Sequence, residues 1–310
     1  LLAPSDDAIG AARSIELREL SSRIEQYNRN GNLAQSRLSV QEQALASAGD
    51  LLQRARELAV QASNGTQSNE TRSFIATEVR QLKEQMVQLA NTRDTTGRYL
   101  FSGYSDKVQP FSATSDGAVY NGDEGQRLVE IAEGRRIADG DSGARVFQRI
   151  PQGNGTFATA AVAGNSGSGI IDSGAVTDPA GWNRDSYTIS FVADDAWEVT
   201  DGSGATVASG GFEPGSSIEF GGVVVSITGS PAAGDEFTVE PSRDQSVFAT
   251  LDRLADALER PTTNDATRAE LSNDLNSSMS DLDQAIGNLL DVRATVGSRL
   301  AAIEDQRDAN

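Results

Sequence analysis

Apolar and small residues recur at alternating three and four spacing through Ile24, Tyr27, Gly31, Ala34, Leu38, Gln41, Leu45, Ala48, Leu52, Ala55, Ala59 and Ala62. This heptad-like stripe predicts one very long helix, with small residues where a second helix would come close. A helix from Ser5 to about Ser63 would run on the order of 90 Å at about 1.5 Å per residue, far more than a compact domain of this size can cover. Such a helix needs partner helices.

The chain supplies them on both sides of a different middle. After the polar turn Asn64-Gly65-Thr66-Gln67-Ser68, the stripe Ile75, Val79, Leu82, Met86 and Leu89 predicts a second helix ending near Gly97. Ser242-Arg243-Asp244-Gln245, after Pro241, has the spacing of a capping box and predicts the start of a shorter helix. Its apolar face is Phe248, Leu251, Ala255 and Leu258, and Pro261 ends it. Leu271, Leu275, Leu282, Leu289, Val296, Leu300 and Ile303 then mark a last helix of roughly 40 residues.

Between these ends the character changes. Of 30 glycines, 22 lie in residues 104–241, which makes the middle rich in turns. Runs such as 187–192, 196–200, 223–227 and 236–239 are short, β-branched and aromatic, and read as strands. Asp194-Asp195 and Asp201-Gly202-Ser203-Gly204 separate consecutive strands at hairpin spacing, which predicts an antiparallel meander or small sandwich. A further hairpin is expected through 118–120 and 127–132, and Gly164 to Gly169 reads as a loop. The predicted fold class is α+β: an elongated antiparallel helical bundle from the N- and C-terminal segments, with an inserted antiparallel β domain. Residues 1–150 together with 242–310 form the helical rod, including a small β-hairpin part at about 104–150, and 155–240 the β-rich outer domain.

Charge follows the same borders. Lys and Arg balance Asp and Glu at 12 each in residues 1–103, whereas residues 104–241 carry 7 against 20. A neutral rod can pack against copies of itself without long-range repulsion, and the acidic middle suits water. No clustered Lys and Arg favours a nucleic-acid partner. With no Cys and no His the chain lacks thiolates, disulfides, imidazole bases and the usual zinc and haem ligands. The acidic pairs Asp123-Glu124, Asp194-Asp195 and Asp235-Glu236 adjoin turns and read as solvated rather than catalytic or calcium-binding. No enzyme activity, cofactor or metal is expected, and no apolar run has the length of a membrane span.

Two groups of residues carry a family resemblance. Residues 4–12 and 52–66, with the run Leu52-Gln53-Arg54-Ala55-Arg56-Glu57-Leu58-Ala59, resemble the N-terminal conserved region of bacterial flagellins. Within that superfamily, Leu89-Ala90-Asn91-Thr92, Gly97-Arg98-Tyr99-Leu100-Phe101-Ser102-Gly103 and residues 288–300 are more similar to the hook-associated proteins at the hook–filament junction. The resemblance implies terminal helices bundled into a rod, a β domain projecting from it, and export through the flagellar secretion apparatus to the extracellular flagellum. It implies neighbouring copies of the chain, the other hook-associated junction protein, flagellin and an export chaperone as partners. It also implies further terminal segments forming an inner tube, so this sequence is expected to be a trimmed piece that stays monomeric.

The expected assembly seam is Ile24, Tyr27, Leu38, Leu45, Leu52, Leu82, Leu89, Leu275, Leu282, Leu289 and Val296. Arg54, Arg56 and Glu57 lie off it and are candidates for contacts between subunits, whereas Tyr99, Leu100 and Phe101 are assigned to packing at the junction of the second helix with the β region. A flagellin proper, or a fibre-like adhesin using Trp182 and Trp197, are the other readings.

Overall fold

The computed structural model describes residues 8–309. The chain begins with helices α1 (Ala8–Ala62) and α2 (Asn69–Ala90). Short strands follow: β1 (Phe111–Thr114), β2 (Gly117–Tyr120), β3 (Leu128–Ala132) and β4 (Arg135–Ala138). Helix α3 (Gly143–Phe147) leads into β5 (Ile150–Pro151). The insert carries β6 (Phe157–Ala161), β7 (Ile170–Ile171), β8 (Ala175–Val176), β9 (Tyr187–Ala193), β10 (Ala196–Asp201), β11 (Thr206–Gly211), β12 (Ser217–Phe220), β13 (Val223–Thr228) and β14 (Glu236–Pro241). Strand β15 (Asp244–Gln245) returns the chain to α4 (Val247–Glu259) and α5 (Asp265–Ala309). Ser5 and the rest of residues 1–7, including the first part of the flagellin-like motif, lie outside the described residues.

Helix α1 spans 55 residues, about 80 Å at ~1.5 Å per residue. It packs along α5, while α2 lies against α4, and α1–α2 and α4–α5 contacts close the bundle. Ala44, Ala48, Ala55, Ala59 and Ala62 are all buried on α1, and their small side chains let the neighbouring helices approach. The α1–α2 turn is pinned by Asn64, whose side-chain oxygen accepts from the Thr66 N–H at 3.1 Å, and by Ser68, which accepts from the Thr71 N–H at 3.2 Å as N-cap.

Among the described residues two hydrophobic clusters stand apart. One runs through the helices and includes Phe101, Phe111, Phe147 and Phe248 from the base of the bundle. The other lies between two sheets of the insert, ordered β11-β10-β9-β14-β6 and β12-β13-β7 with β8 beside β13. Tyr187, Ile189 and Phe191 on β9 alternate inward, as do Val223, Val225 and Ile227 on β13, so the two sheets close face to face as a sandwich. The β5–β15 ladder, with Ile150 opposite Gln245 and Pro151 opposite Asp244, forms the neck between insert and shaft.

Several expectations are corrected. Helix α2 stops at Ala90, because Asn91 turns away to clasp β1: its side chain accepts from the Phe111 N–H and donates to the Phe111 carbonyl, both at 2.9 Å. The capping-box pattern at Ser242 does not start a helix. Its residues are taken up by the neck, where the Ser242 hydroxyl donates to the Gln152 carbonyl at 2.8 Å, and α4 starts after Ser246. Residues 118–120 and 127–132 do not pair with each other; β1 pairs with β2 and β3 with β4. Asp235 is not a solvated turn residue. It is 1% exposed, and its carboxylate accepts from the N–H groups of Ser166, Gly167 and Ala232 at 2.7, 3.0 and 2.9 Å, tying the 164–169 loop to β14.

Candidate functional site

The chemistry here is packing and latching along the shaft. Leu38, Leu45, Leu52 and Leu82 meet Leu275, Leu282, Leu289 and Val296 in the helical cluster, all fully or almost fully buried; Leu38 and Leu282 are each 0% exposed. Leu89 is half-buried against the same cluster. Ile24 and Tyr27 depart from expectation: both are only half-buried and neither belongs to the cluster. Ile303 lies near Gly31, and beyond it Gln306 and Arg307 of α5 line a small pocket with Tyr27 and Asn28, so the side chains that α5 sets against this part of α1 are polar and extend no apolar seam. Nearer the start of α1, Ile9, Ile15, Leu17 and Leu20 are exposed.

Helix α1 also holds polar groups that periodicity does not reveal. Arg37 is 5% exposed and pairs with Asp94, with Asp139 at 3.5 Å on its other side. Burial by itself would raise the Asp94 carboxyl. Hydrogen bonds from the Thr96 hydroxyl and from the backbone N–H groups of Arg98 and Thr96, with Arg37 alongside, hold it below the ordinary aspartate range instead. Gln41, inside the apolar stripe, is 0% exposed and donates to Asp141 at 3.0 Å. Asp141 also accepts from Arg145 at 2.7 Å and from Arg299 of α5 at 2.9 Å. These acids fasten the segment between α2 and α3 onto both long helices.

The insert is latched to α5 in the same way. Buried Asn273 accepts from the Ile171 N–H at 2.9 Å and donates to the Gly169 carbonyl at 3.0 Å. Asp281 accepts from the Gly153 N–H at 2.8 Å and pairs with Arg253 of α4 at 2.7 Å. Sequence reasoning missed Arg37, Asp94, Asp139, Asp141, Asn273 and Asp281. The available signal was a polar residue standing on or beside an apolar helix face, as Gln41 does.

Arg54, Arg56 and Glu57 are exposed and stand on the outer face of α1. Arg54 pairs with Glu78 of α2 at 2.8 Å and with Glu57 at 3.2 Å, and Arg56 pairs with Asp283 of α5 at 2.5 Å. Phe74 and Val60 are exposed near the same end of the bundle, 68% and 49% respectively. Tyr99, Leu100 and Phe101 are buried, with the Phe101 ring edge-on to Phe147 at 5.3 Å. Trp182 and Trp197 are half-buried against the core of the insert. Among the described residues no group of three metal-ligating side chains is gathered, and no helix is long and apolar enough to cross a membrane.

A long helical shaft carrying a lateral β sandwich is the architecture of a flagellin-like axial protein. Residues 2–106 match the family described as the bacterial flagellin N-terminal helical region, and residues 160–241 the family described as flagellar hook-associated protein 1, D2-like domain. The crystal structure of FlgL from Xanthomonas campestris (space group C2) is 39% identical with a TM-score of 0.89, covering 94% of each chain. Flagellar hook-associated protein-3 from Legionella pneumophila is 34% identical with a TM-score of 0.91, over 95% of this chain and 94% of that one. Flagellar hook-associated protein 3 of Salmonella typhimurium is 33% identical over 147 residues, 47% of this chain and 46% of that protein, so the match spans about half of this curated relative. The chain belongs to the flagellar hook-associated protein 3 (FlgL) family, exported structural components of the bacterial flagellum.

Proposed function

We propose that this protein joins hook to filament and presents the surface on which flagellin polymerises. The observation that carries this reading is the paired shaft, in which Leu38 and Leu282 from opposite ends of the chain are both sealed in one core. A subunit at a junction must transmit torque between two tubular lattices, and a continuous core along helices of 55 and 45 residues gives it a stiff axis. Residues 1–150 with 242–310 act as the rod, and 155–240 as a separate outer unit with its own core.

Neighbouring copies meet over residues off the seam, among them Arg54, Arg56 and Glu57, with exposed Phe74 and Val60 as apolar anchors. The other hook-associated junction protein and flagellin bind at the two ends of the ring so formed, and an export chaperone holds the chain before secretion. Deleting the gene in the parent bacterium tests the reading. Hooks should form while flagellin leaves the cell unpolymerised, and restoring the gene should restore filaments. Filaments of normal length in the deletion strain would refute it.

A further inference from the structure

The insert is acidic throughout, and its one exception lies in a cleft. Residues 155–241 contain twelve Asp and Glu and a single basic side chain, Arg184. Among the described residues Arg184 is also the only non-glycine in the left-handed region, with φ 61°, a conformation that costs free energy and persists only where the surroundings impose it. They do so here. The Asp178 carbonyl accepts from the N–H groups of Gly181 and Trp182, and the Asn183 side chain accepts from the Asp185 N–H and the Tyr187 hydroxyl. Behind the loop, a Cβ on Gly222 would stand 2.4 Å from the Asp178 carbonyl oxygen, so the backbones already touch.

Arg184 and Trp182 line an open cavity of about 340 Å³, together with Thr156, Ser242, Arg243 and Asp244 of the neck. The Trp182 ring rests against Phe157 and Tyr187 at centroid distances of 5.6 and 6.0 Å. Its indole N–H has no hydrogen-bond partner among the described residues, whereas the Trp197 N–H donates to the Gly211 carbonyl at 3.1 Å. The Arg184 guanidinium likewise has no partner among the described residues. The Arg243 side chain is 73% exposed, and among the described residues its guanidinium reaches only Glu240, at 3.2 Å.

We propose that this cleft binds an acidic saccharide of the uronic-acid type. A planar guanidinium matches a carboxylate through two parallel hydrogen bonds, which suits Arg184, with Arg243 lining the same cavity. The indole offers an apolar face for the C–H side of a sugar ring and a free donor at its edge. Ser242, Thr156 and Asp244 supply the donors and acceptors that sugar hydroxyls require. The volume suits roughly one or two sugar rings. A bare anion would use the arginines but not the indole, and an acidic peptide would meet the carboxylates that cover the rest of the insert. The inference is independent of the junction reading.

The test is a titration of the whole isotope-labelled chain with D-glucuronate, following the two indole N–H signals by NMR. The Trp182 signal should shift at about 10 mM ligand while the Trp197 signal stays. Glucose should bind at least about tenfold more weakly, Arg184→Gln should weaken glucuronate binding by a similar factor, and Arg184→Lys should restore part of it. Unchanged near-UV circular dichroism would show that the variants are folded, and Arg243→Gln, outside the strained loop, gives a second reading expected to weaken binding. An unmoved Trp182 signal would overturn the proposal. So would an equal response to acetate, tighter binding of a hexaglutamate peptide, or glucuronate binding that Arg184→Gln and Arg243→Gln leave intact.

Discussion

The carboxylate of Asp281 on α5 accepts a hydrogen bond from the backbone N–H of Gly153, 128 residues earlier in the chain, at 2.8 Å. Gly153 sits at φ 61°, where a Cβ would lie 2.2 Å from the Phe157 carbonyl oxygen. The bond thus fixes a turn that only glycine fits, at the point where the insert leaves the shaft. Asp281→Ala should cost about 2 kcal/mol or more by leaving a buried donor unpaired, while Asp281→Asn, which keeps an acceptor, should cost less. Urea unfolding and exchange of the Gly153 amide hydrogen check both, and two variants as stable as the unaltered chain would show that the latch contributes nothing.

The seam makes a sharper demand. Leu45 and Leu289 are buried at 0% and 3% exposure, so an aspartate at either place leaves an unpaired charge in the core and should cost several kcal/mol. Leu17 is 65% exposed, and Leu17→Asp should leave the melting temperature of the chain unchanged. Unchanged melting of Leu45→Asp, or a large drop for Leu17→Asp, would mean that the buried face of α1 is misplaced.

Acid stability should carry the mark of Asp94. Its carboxyl lies below the ordinary value in the folded chain, because hydrogen bonds and Arg37 outweigh the effect of burial. The stabilisation is therefore complete above the unfolded value, near about pH 4, and is lost as pH falls through the folded one. Asp94→Asn should be less stable at neutral pH by about 1–3 kcal/mol and should lose stability less steeply below pH ~4. Parallel pH–stability curves for the two proteins would contradict this.

Arg56 separates folding from assembly. Its pair with Asp283 is about half exposed on both sides, so Arg56→Ala should change stability by less than about 1 kcal/mol. If the outer face of α1 meets neighbouring copies, the triple change of Arg54, Arg56 and Glu57 to opposite charge should impair swimming while purified protein melts normally. Normal motility would remove these residues from the interface.

Much of this architecture was legible in the sequence, for reasons particular to certain residues. The spacing of Leu38, Leu45 and Leu52 repeats the geometry of a helix face, and the crowding of glycine in 104–241 marked where helices give way to strands. Ile24 and Tyr27 carry the same spacing, but periodicity cannot say what a partner helix sets against them, and beside Tyr27 α5 sets Gln306 and Arg307. Asp235 reads as a solvent-facing acid because nothing local marks a carboxylate whose partners Ser166 and Gly167 lie 69 and 68 positions earlier, and Asp139, Asp141 and Asp281 draw no notice for the same reason, since Arg37, Arg299 and Gly153 are each over a hundred positions from them. The Ser242 pattern failed for a related reason: capping chemistry is short, and the neck ladder with β5 took those residues first.

The pairing of the two chain ends can be measured directly. Glu42 of α1 and Arg293 of α5 form an ion pair at 2.7 Å, and the sequence has no cysteine, so Glu42→Cys with Arg293→Cys gives a chain with only two reactive sites. A short bismaleimide at high dilution should join them within one molecule, giving a species of monomer mass that contains a cross-linked peptide from both helices. Two separately modified cysteines and no cross-linked peptide would contradict the shaft.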